Sequence, residues 1–221
     1  MLPGGISVHD YNNNLKLVGP KKPIANLKEK LKCFGANGVP TGNQFKYKMT
    51  LYVDQPINKS TNVYQNFSPD RPFGHTYLGL EQYNSETGQT KRLVVGFYIQ
   101  TEWRAGTLLM SPGAWGEDGN TSYDVSISLN ISANQFQNAI DQMGYLGTPS
   151  YHITDQNCNH VATNIMAPFL AMPHGVAEIG PLGLGMSSGA LGQGFFNNTS
   201  TYGQYMHTGN NLTSPPSTSC P

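Results

Sequence analysis

A cysteine near the start of a predicted helix has the setting in this chain that best suits nucleophilic chemistry. Cys158 lies in the stretch TDQNCNHVATN, and the chain has two other cysteines, Cys33 and Cys220. The thiolate is the reactive form of cysteine, and the first turn of a helix lowers the pKa of a thiol placed there. Backbone N–H groups at the same turn can hold an oxyanion. Cys158 is therefore a candidate nucleophile, while a packing role or a metal-ligand role remains open.

A nucleophilic thiol needs a base from elsewhere in the chain, and six histidines are available. His160 follows Cys158 by two positions, so helix geometry points its side chain about 200° away from the sulfur. His152 precedes the helix and reaches the sulfur only if the chain folds back. His75 opens a predicted strand in GHTYLGL, and a strand histidine facing a helix cysteine is the papain-type arrangement. His75 is therefore the histidine best placed to meet Cys158, while an ordinary surface or packed role for it stays open.

A third, orienting group is usual in such sites. Antiparallel pairing about a turn centred near residue 87 places position 75 opposite positions 98–100. Tyr98 and Gln100 share one face of that strand, and the Gln100 amide could hold one imidazole tautomer. An ordinary solvated glutamine fits this pattern equally well. Asn157 or Gln156 could add a side-chain donor at the oxyanion site.

The pattern of polar and apolar residues predicts the elements that must position these side chains. Strands are predicted at 45–56, 74–83, 91–103 and 123–131, the second and third forming a hairpin. Helices are predicted at 132–143, where Ser132 and Gln135 form a capping box, and from near Thr154 or Asp155 to Pro168. This order predicts an α+β fold, an antiparallel sheet with helices packed on it.

Composition shifts divide the chain into three predicted parts. Residues 1–44 form an N-terminal extension with one short helical candidate, PIANLKEKLKCF, and residues 45–195 form the catalytic domain. Residues 196–221, rich in Ser, Thr, Asn and Pro, are expected to be a polar, flexible tail. The stretch PGAWGEDGNTS is expected to be a loop, and a bridge between Cys33 and Cys220 is open.

Charge and hydropathy exclude several classes of function. Thirteen Lys and Arg balance thirteen Asp and Glu, so the chain has no net positive charge that would attract nucleic acid. No window approaches the roughly 18–20 apolar residues of a membrane span, and the N-terminus MLPGGISVHDYNNNLKL lacks the features of a signal peptide. Neither C-x-x-C nor H-x-x-x-H spacing occurs, so we expect no metal and no cofactor. An exported chain would leave by a signal-free route or be excised from a precursor.

The two candidate motifs occur in an order that resembles the circularly permuted papain-like hydrolases. GHTYLGL precedes a hairpin, and QNCNHVA opens a late helix, as in permuted NlpC-type peptidases, PPPDE peptidases and lecithin-retinol-acyltransferase-like enzymes. More narrowly, YKMTLYVDQP, GHTYLGLEQ, VVGFYI and LGQGF resemble toxin-like C-terminal domains of bacterial Rhs-type polymorphic proteins. The likeness covers roughly residues 45–195. It departs from the family pattern at Ile99, where GFYP is common, and at Val161, where an aromatic is common.

The resemblance implies a thiol hydrolase in which the His strand precedes the Cys helix, with Cys158 as nucleophile and His75 as general base. It implies cleavage of an amide bond in peptidoglycan peptides by a secreted or delivered antibacterial toxin that has an immunity protein. Proteins of a target cell are the second substrate class, and lipid acyl groups are the third. The competing class is a non-catalytic binding module in which Cys158 is merely packed.

Overall fold

A curled antiparallel sheet with helices packed on it forms the centre of the fold. The computed structural model describes residues 16–62, 73–104, 110–178 and 184–218. Within these ranges the main sheet has eight strands. The predicted α+β class, with its antiparallel sheet, is confirmed.

Twelve strands and five α-helices occur in the described residues. The strands are β1 (Lys16–Leu17), β2 (Pro23–Ile24), β3 (Phe45–Asp54), β4 (His75–Asn84), β5 (Thr90–Ile99), β6 (Trp103–Arg104), β7 (Met110–Glu117), β8 (Ser122–Ile131), β9 (Ser150–His152), β10 (Val176–Glu178), β11 (Leu184–Met186) and β12 (Met206–Thr213). The helices are α1 (Leu27–Leu31), α2 (Ala133–Leu146), α3 (Cys158–Met166), α4 (Ser188–Asn197) and α5 (Thr199–Tyr202). A 3₁₀ turn, Lys32–Phe34, follows α1.

The main sheet has the strand order β12-β8-β3-β4-β5-β7-β2, and β9 pairs with β7. All of these pairings are antiparallel, and the predicted hairpin is formed by β4 and β5, with Tyr77 opposite Gly96. Two small sheets, β1–β6 and β10–β11, stand apart from it. Strand β4 therefore lies near the middle of the sheet, and its first residue, His75, sits at the sheet's end.

Alternation along the strands sends one set of side chains into the main core under the helices. Leu78 and Leu80 of β4 lie in this core with Phe136 and Met143 of α2, whereas Tyr77 packs on the opposite face. The predicted capping box at Ser132 is present. The apolar stripe of α2 thus packs as its spacing requires.

Helix α3 begins later than its sequence predicts. Thr154 and Asp155, expected to start it, instead donate backbone hydrogen bonds to Nδ1 of His152 at 3.4 and 3.2 Å. Asn157 is the N-cap, because its side chain accepts the N–H groups of Asn159 and His160. Cys158 is therefore the first residue of the helix.

Two segments expected to be irregular instead belong to the sheet. PGAWGEDGNTS, expected to be a loop, supplies the end of β7, where Trp115 is 1% exposed. The expected flexible tail carries α5 and β12, and β12 pairs with β8 at the edge of the sheet. That expectation was wrong because edge pairing uses backbone groups and needs little apolar area.

Part of the expected N-terminal extension packs with the rest of the chain. Leu27, Leu31 and Phe34 are buried in the same core cluster as the sheet and helices. Cys33 is disulfide-bonded, and Cys158 is free. Cys220, which the sequence leaves open as a partner of Cys33, lies outside the described residues. Among the residues described, no helix has the length and hydrophobicity that crossing a membrane would require.

Candidate active site

His75 is buried at the start of β4 and is held by an aspartate that the sequence did not predict. Nε2 of His75 lies 3.0 Å from Oδ2 of Asp118, and the two residues are 3% and 2% exposed. Asp118 follows β7 directly. Its backbone N–H donates to the carbonyl of Val94, and its own carbonyl accepts the hydroxyl of Ser214 at 2.8 Å. Both main-chain groups fix the carboxylate in front of the imidazole.

Tyr98 completes the setting of this histidine. Its hydroxyl donates a hydrogen bond to Oδ1 of Asp118, and its ring packs against His75 with centroids 4.5 Å apart. The ring of Tyr77 stacks on His75 at 5.4 Å. The register of the β4–β5 hairpin places position 98 across from position 75, as the sequence predicts. The rings of Tyr98 and Tyr77 therefore pack against the imidazole and hold it in place beside Asp118.

The charge state of His75 follows from these contacts. Burial lowers the pKa of His75, but the charge and hydrogen bond of Asp118 outweigh burial, and a hydrogen bond and charge interaction with Cys158 raise it further. The pKa of His75 is about 9 instead of 6.5. Because Asp118 takes Nε2, Nδ1 is the ring nitrogen left for the thiol. His75 is therefore an imidazolium at neutral pH, next to the cysteine.

Cys158 and His75 line one cavity at the end of the sheet. Asn157 fixes the start of α3 there, because its Nδ2 donates to the carbonyls of Ile153 and Met186, both at 2.8 Å. The cap on one side and the α3 helix on the other leave Cys158 8% exposed. The sulfur thus faces the cavity from a rigid helix start.

Asn159, which the sequence did not single out, places an amide beside the sulfur. Its Nδ2 donates to Sγ of Cys158 at 3.7 Å, and its Oδ1 accepts the hydroxyls of Thr76 and Ser188 at 2.5 and 3.0 Å. Thr76 and Ser188 are 0% exposed, and Asn159 is 4% exposed. This buried network joins the histidine strand, the cysteine helix and the start of α4. The amide of Asn159 therefore faces the sulfur from a fixed position.

The structure brings together part of the predicted set. Cys158, His75 and Tyr98 meet at the cavity. Gln100, predicted to orient the imidazole, is exposed beyond the end of β5, and Asp118 has that place instead. The predicted strand pairing put Tyr98 on the correct face, but β5 ends at Ile99, so Gln100 lies outside the strand.

The two predicted oxyanion donors have other roles. Oδ1 of Asn157 caps α3, and both of its Nδ2 bonds go to backbone carbonyls, so this side chain is not an oxyanion donor. Gln156 forms a backbone bridge with His152 and is not part of the cavity wall. His160 contacts Oδ1 of Asn157 at 3.3 Å, and burial lowers its pKa while Asp155 raises it. As helix geometry predicts, His160 lies outside the wall of the cavity.

Asp118 had one weak sequence signal, its place in the turn-forming run EDGN. The described residues contain no group of three or more His, Cys, Asp or Glu side chains arranged to hold a metal ion. The chain matches no protein-family model, no curated protein and no solved structure at a significant level. What these residues can do therefore follows from their own geometry.

Proposed function

We propose that this protein is a cysteine-dependent amide hydrolase with a Cys158–His75–Asp118 triad in permuted papain-like order. The observation that supports it is the buried hydrogen bond between the Asp118 carboxylate and the His75 imidazole, with His75 and the Cys158 thiol lining the same cavity. Buried ionisable groups whose pKa values are shifted by specific partners cluster at functional sites. A merely packed cysteine needs neither the aspartate nor the imidazolium.

In the proposed reaction, the Cys158 thiolate attacks the carbonyl carbon, a C–S bond forms, and the oxygen becomes an oxyanion. Asn157 takes the N–H groups of Asn159 and His160, which leaves the backbone N–H of Cys158 as the oxyanion donor at this helix start. The His75 imidazolium then gives its proton to the leaving nitrogen as the C–N bond breaks. Water, deprotonated by His75, cleaves the thioester and regenerates the thiolate. Asp118 acts through His75 throughout, as a positioning residue.

The first substrate to test is peptidoglycan peptide, as the resemblance of GHTYLGL and QNCNHVA implies. In that role the protein is an antibacterial toxin that is delivered to a target cell and neutralised in its producer by an immunity protein. Proteins of a target cell are the alternative substrate. A non-catalytic binding module is the alternative of another class.

The decisive experiment digests purified peptidoglycan, and separately a denatured protein, with wild-type protein and Cys158→Ala, and identifies the fragments by mass. We expect new amide-derived termini with the wild type and none with Cys158→Ala. His75→Ala should be equally inactive, and the double variant should be no worse, because residues that act as a unit lose activity non-additively. Equal fragments from the wild type and Cys158→Ala would refute the proposal.

A further inference from the structure

The wall of the cavity beside Cys158 is apolar. Phe97, Ile99, Tyr151 and Ile153 form its buried part, with 2–6% of each residue exposed. Burial raises the pKa of Tyr151, and the charge of Cys158 raises it further, so its phenol stays neutral. A group entering beside the sulfur therefore contacts mainly carbon.

The described part of the same wall offers no counter-ion to a charged substrate group. No aspartate, glutamate, lysine or arginine is among the described residues that line it. His75 is the cationic group among them, and the Asp118 carboxylate already pairs with it. A charged side chain in this cavity would lose its hydration without gaining a partner, which is costly. An uncharged, apolar side chain gains free energy instead.

The apolar surface continues outside the cavity along the β10–β11 hairpin. Met186 lines the cavity, and it lies directly opposite Val176 in the hairpin. Because side chains two apart in a strand share a face, Leu184 lies on this face too. Val176 and Leu184 are 55% and 69% exposed. These three side chains form an apolar ridge that leads from Cys158 to the surface.

The β10 edge of this hairpin can bind an extended chain, whereas on β11 the carbonyl of Met186 already accepts the side chain of Asn157. β10 and β11 pair with each other and with no further strand of the described residues. An unpaired strand edge offers N–H and C=O groups to an added strand, while pockets for alternate side chains give specificity. The apolar ridge and the edge of β10 together suit an extended peptide.

We infer that the substrate is an extended peptide with an apolar residue next to the scissile carbonyl, and that the Val176–Leu184–Met186 ridge binds its neighbouring apolar residue. This rests on the proposed function, because it assumes that Cys158 attacks a carbonyl in the cavity. In a peptidoglycan peptide, the alanine positions meet this requirement for an apolar residue, and the positions with an acidic side chain do not.

Two epoxysuccinyl probes that differ only in a leucine or a glutamate side chain test the cavity. Their rates of Cys158 alkylation are compared with the rate for iodoacetamide, which has no side chain. We expect the leucine probe to react at least tenfold faster than the glutamate probe, through tighter initial binding and not through a faster chemical step.

A longer leucine probe with a second apolar residue tests the ridge. The ratio of its Cys158 alkylation rate to that of the shorter probe should fall at least threefold in Leu184→Asn and in Val176→Asn. Tyr145→Asn is the matched control, because Tyr145 is 93% exposed on α2 and lies outside the cavity wall. That variant should keep the wild-type ratio.

Equal rates for the leucine and glutamate probes, with Cys158 still alkylated by iodoacetamide, would overturn the inference and leave the proposed function standing. A long-chain acyl ester that turns over while both peptide probes fail would overturn it in favour of a lipid substrate. If no reagent alkylates Cys158 in the folded protein, the proposed function fails as well.

Discussion

Gly96 and Asp118 approach so closely that a β-carbon on Gly96 would lie 2.1 Å from Oδ2 of Asp118. The same β-carbon would lie 2.4 Å from Nε2 of His75. The hydrogen bond between the imidazole and the carboxylate therefore passes directly over Gly96 of β5, where glycine leaves room because it has no side chain. Any other residue at this position would occupy the space of that bond.

Replacing Gly96 with alanine should separate His75 from Asp118. We expect the alkylation rate of Cys158 at pH 7 to fall at least tenfold and stability to fall by about 1–3 kcal/mol, because the added methyl has no room. Iodoacetamide labelling and urea unfolding measure the two effects. Gly144→Ala is the control, since its β-carbon would approach only Cγ of Lys28, at 3.8 Å. An unchanged labelling rate in Gly96→Ala would contradict the assigned geometry.

Asp118→Asn should deprive His75 of the charge that keeps it protonated. Burial then dominates and lowers the pKa of His75, so the alkylation rate of Cys158 at pH 7 should fall more than tenfold. Tyr98→Phe should cause a smaller loss, because it keeps the ring against His75 and removes the hydroxyl bond to Asp118. Gln100→Ala should label at the wild-type rate. The reverse pattern would restore Gln100 as the orienting group.

The raised pKa of His75 should make stability depend on pH. A histidine with a pKa of 6.5 when unfolded and about 9 when folded stabilises the fold fully below pH 6.5, and this contribution is lost as the pH rises through 9. We expect the free energy of unfolding to fall by about 3 kcal/mol across this window. Urea midpoints at pH 6 and pH 9.5, for wild type and His75→Gln, measure it. A loss of equal size in His75→Gln would assign the effect to other groups.

Asn159→Asp should slow alkylation of the Cys158 thiol without changing the shape of the cavity around it. Aspartate keeps the oxygen that accepts the hydroxyls of Thr76 and Ser188, but it replaces the amide donor facing Cys158 with a negative charge. We expect at least tenfold slower alkylation at pH 7, because a negative charge beside the sulfur opposes the anionic form in which cysteine reacts. Asn164→Asp, on the exposed side of the same helix, should match the wild type. Equal slowing in both variants would indicate a general charge effect.

Deletion of residues 206–221 should destabilise the fold strongly. It removes β12 from the edge of the main sheet, together with the Ser217 and Thr218 side chains that accept the N–H groups of Val94 and Arg92 at 3.0 and 2.6 Å. We expect the melting temperature to fall by more than 10 °C, a loss of several kcal/mol in a domain of this size. The milder Ser214→Ala should cost about 1–3 kcal/mol, and the exposed Thr208→Ala should cost little. A shortened chain with the wild-type melting temperature would reinstate the flexible-tail prediction.

The features that the sequence predicted correctly depend on neighbours along the chain. Alternation and a polar turn were enough to predict the β4–β5 hairpin, and its register then brought Tyr98 across from His75. The position of Cys158 at a helix start followed from the polar residues before it, although the cap proved to be Asn157.

The features that were missed depend on long-range pairing. Asp118 meets His75 from 43 residues away, through the pairing of β5 with β7, and no local pattern encodes that register. Thr76 meets Asn159 from 83 residues away. β12 looks like a tail because its alternating residues are mostly polar, and its place in the sheet depends on backbone hydrogen bonds to β8.

The hydrogen bond from Ser214 to the Asp118 carbonyl sets the order in which a ribosome can complete this site. Synthesis makes the imidazole first, then the carboxylate and then the thiol, and all three exist before the hydroxyl that secures the turn at Asp118. The contact that secures the turn at Asp118 can therefore form only after residue 214 has been added, when the three side chains of the candidate site are already part of the chain.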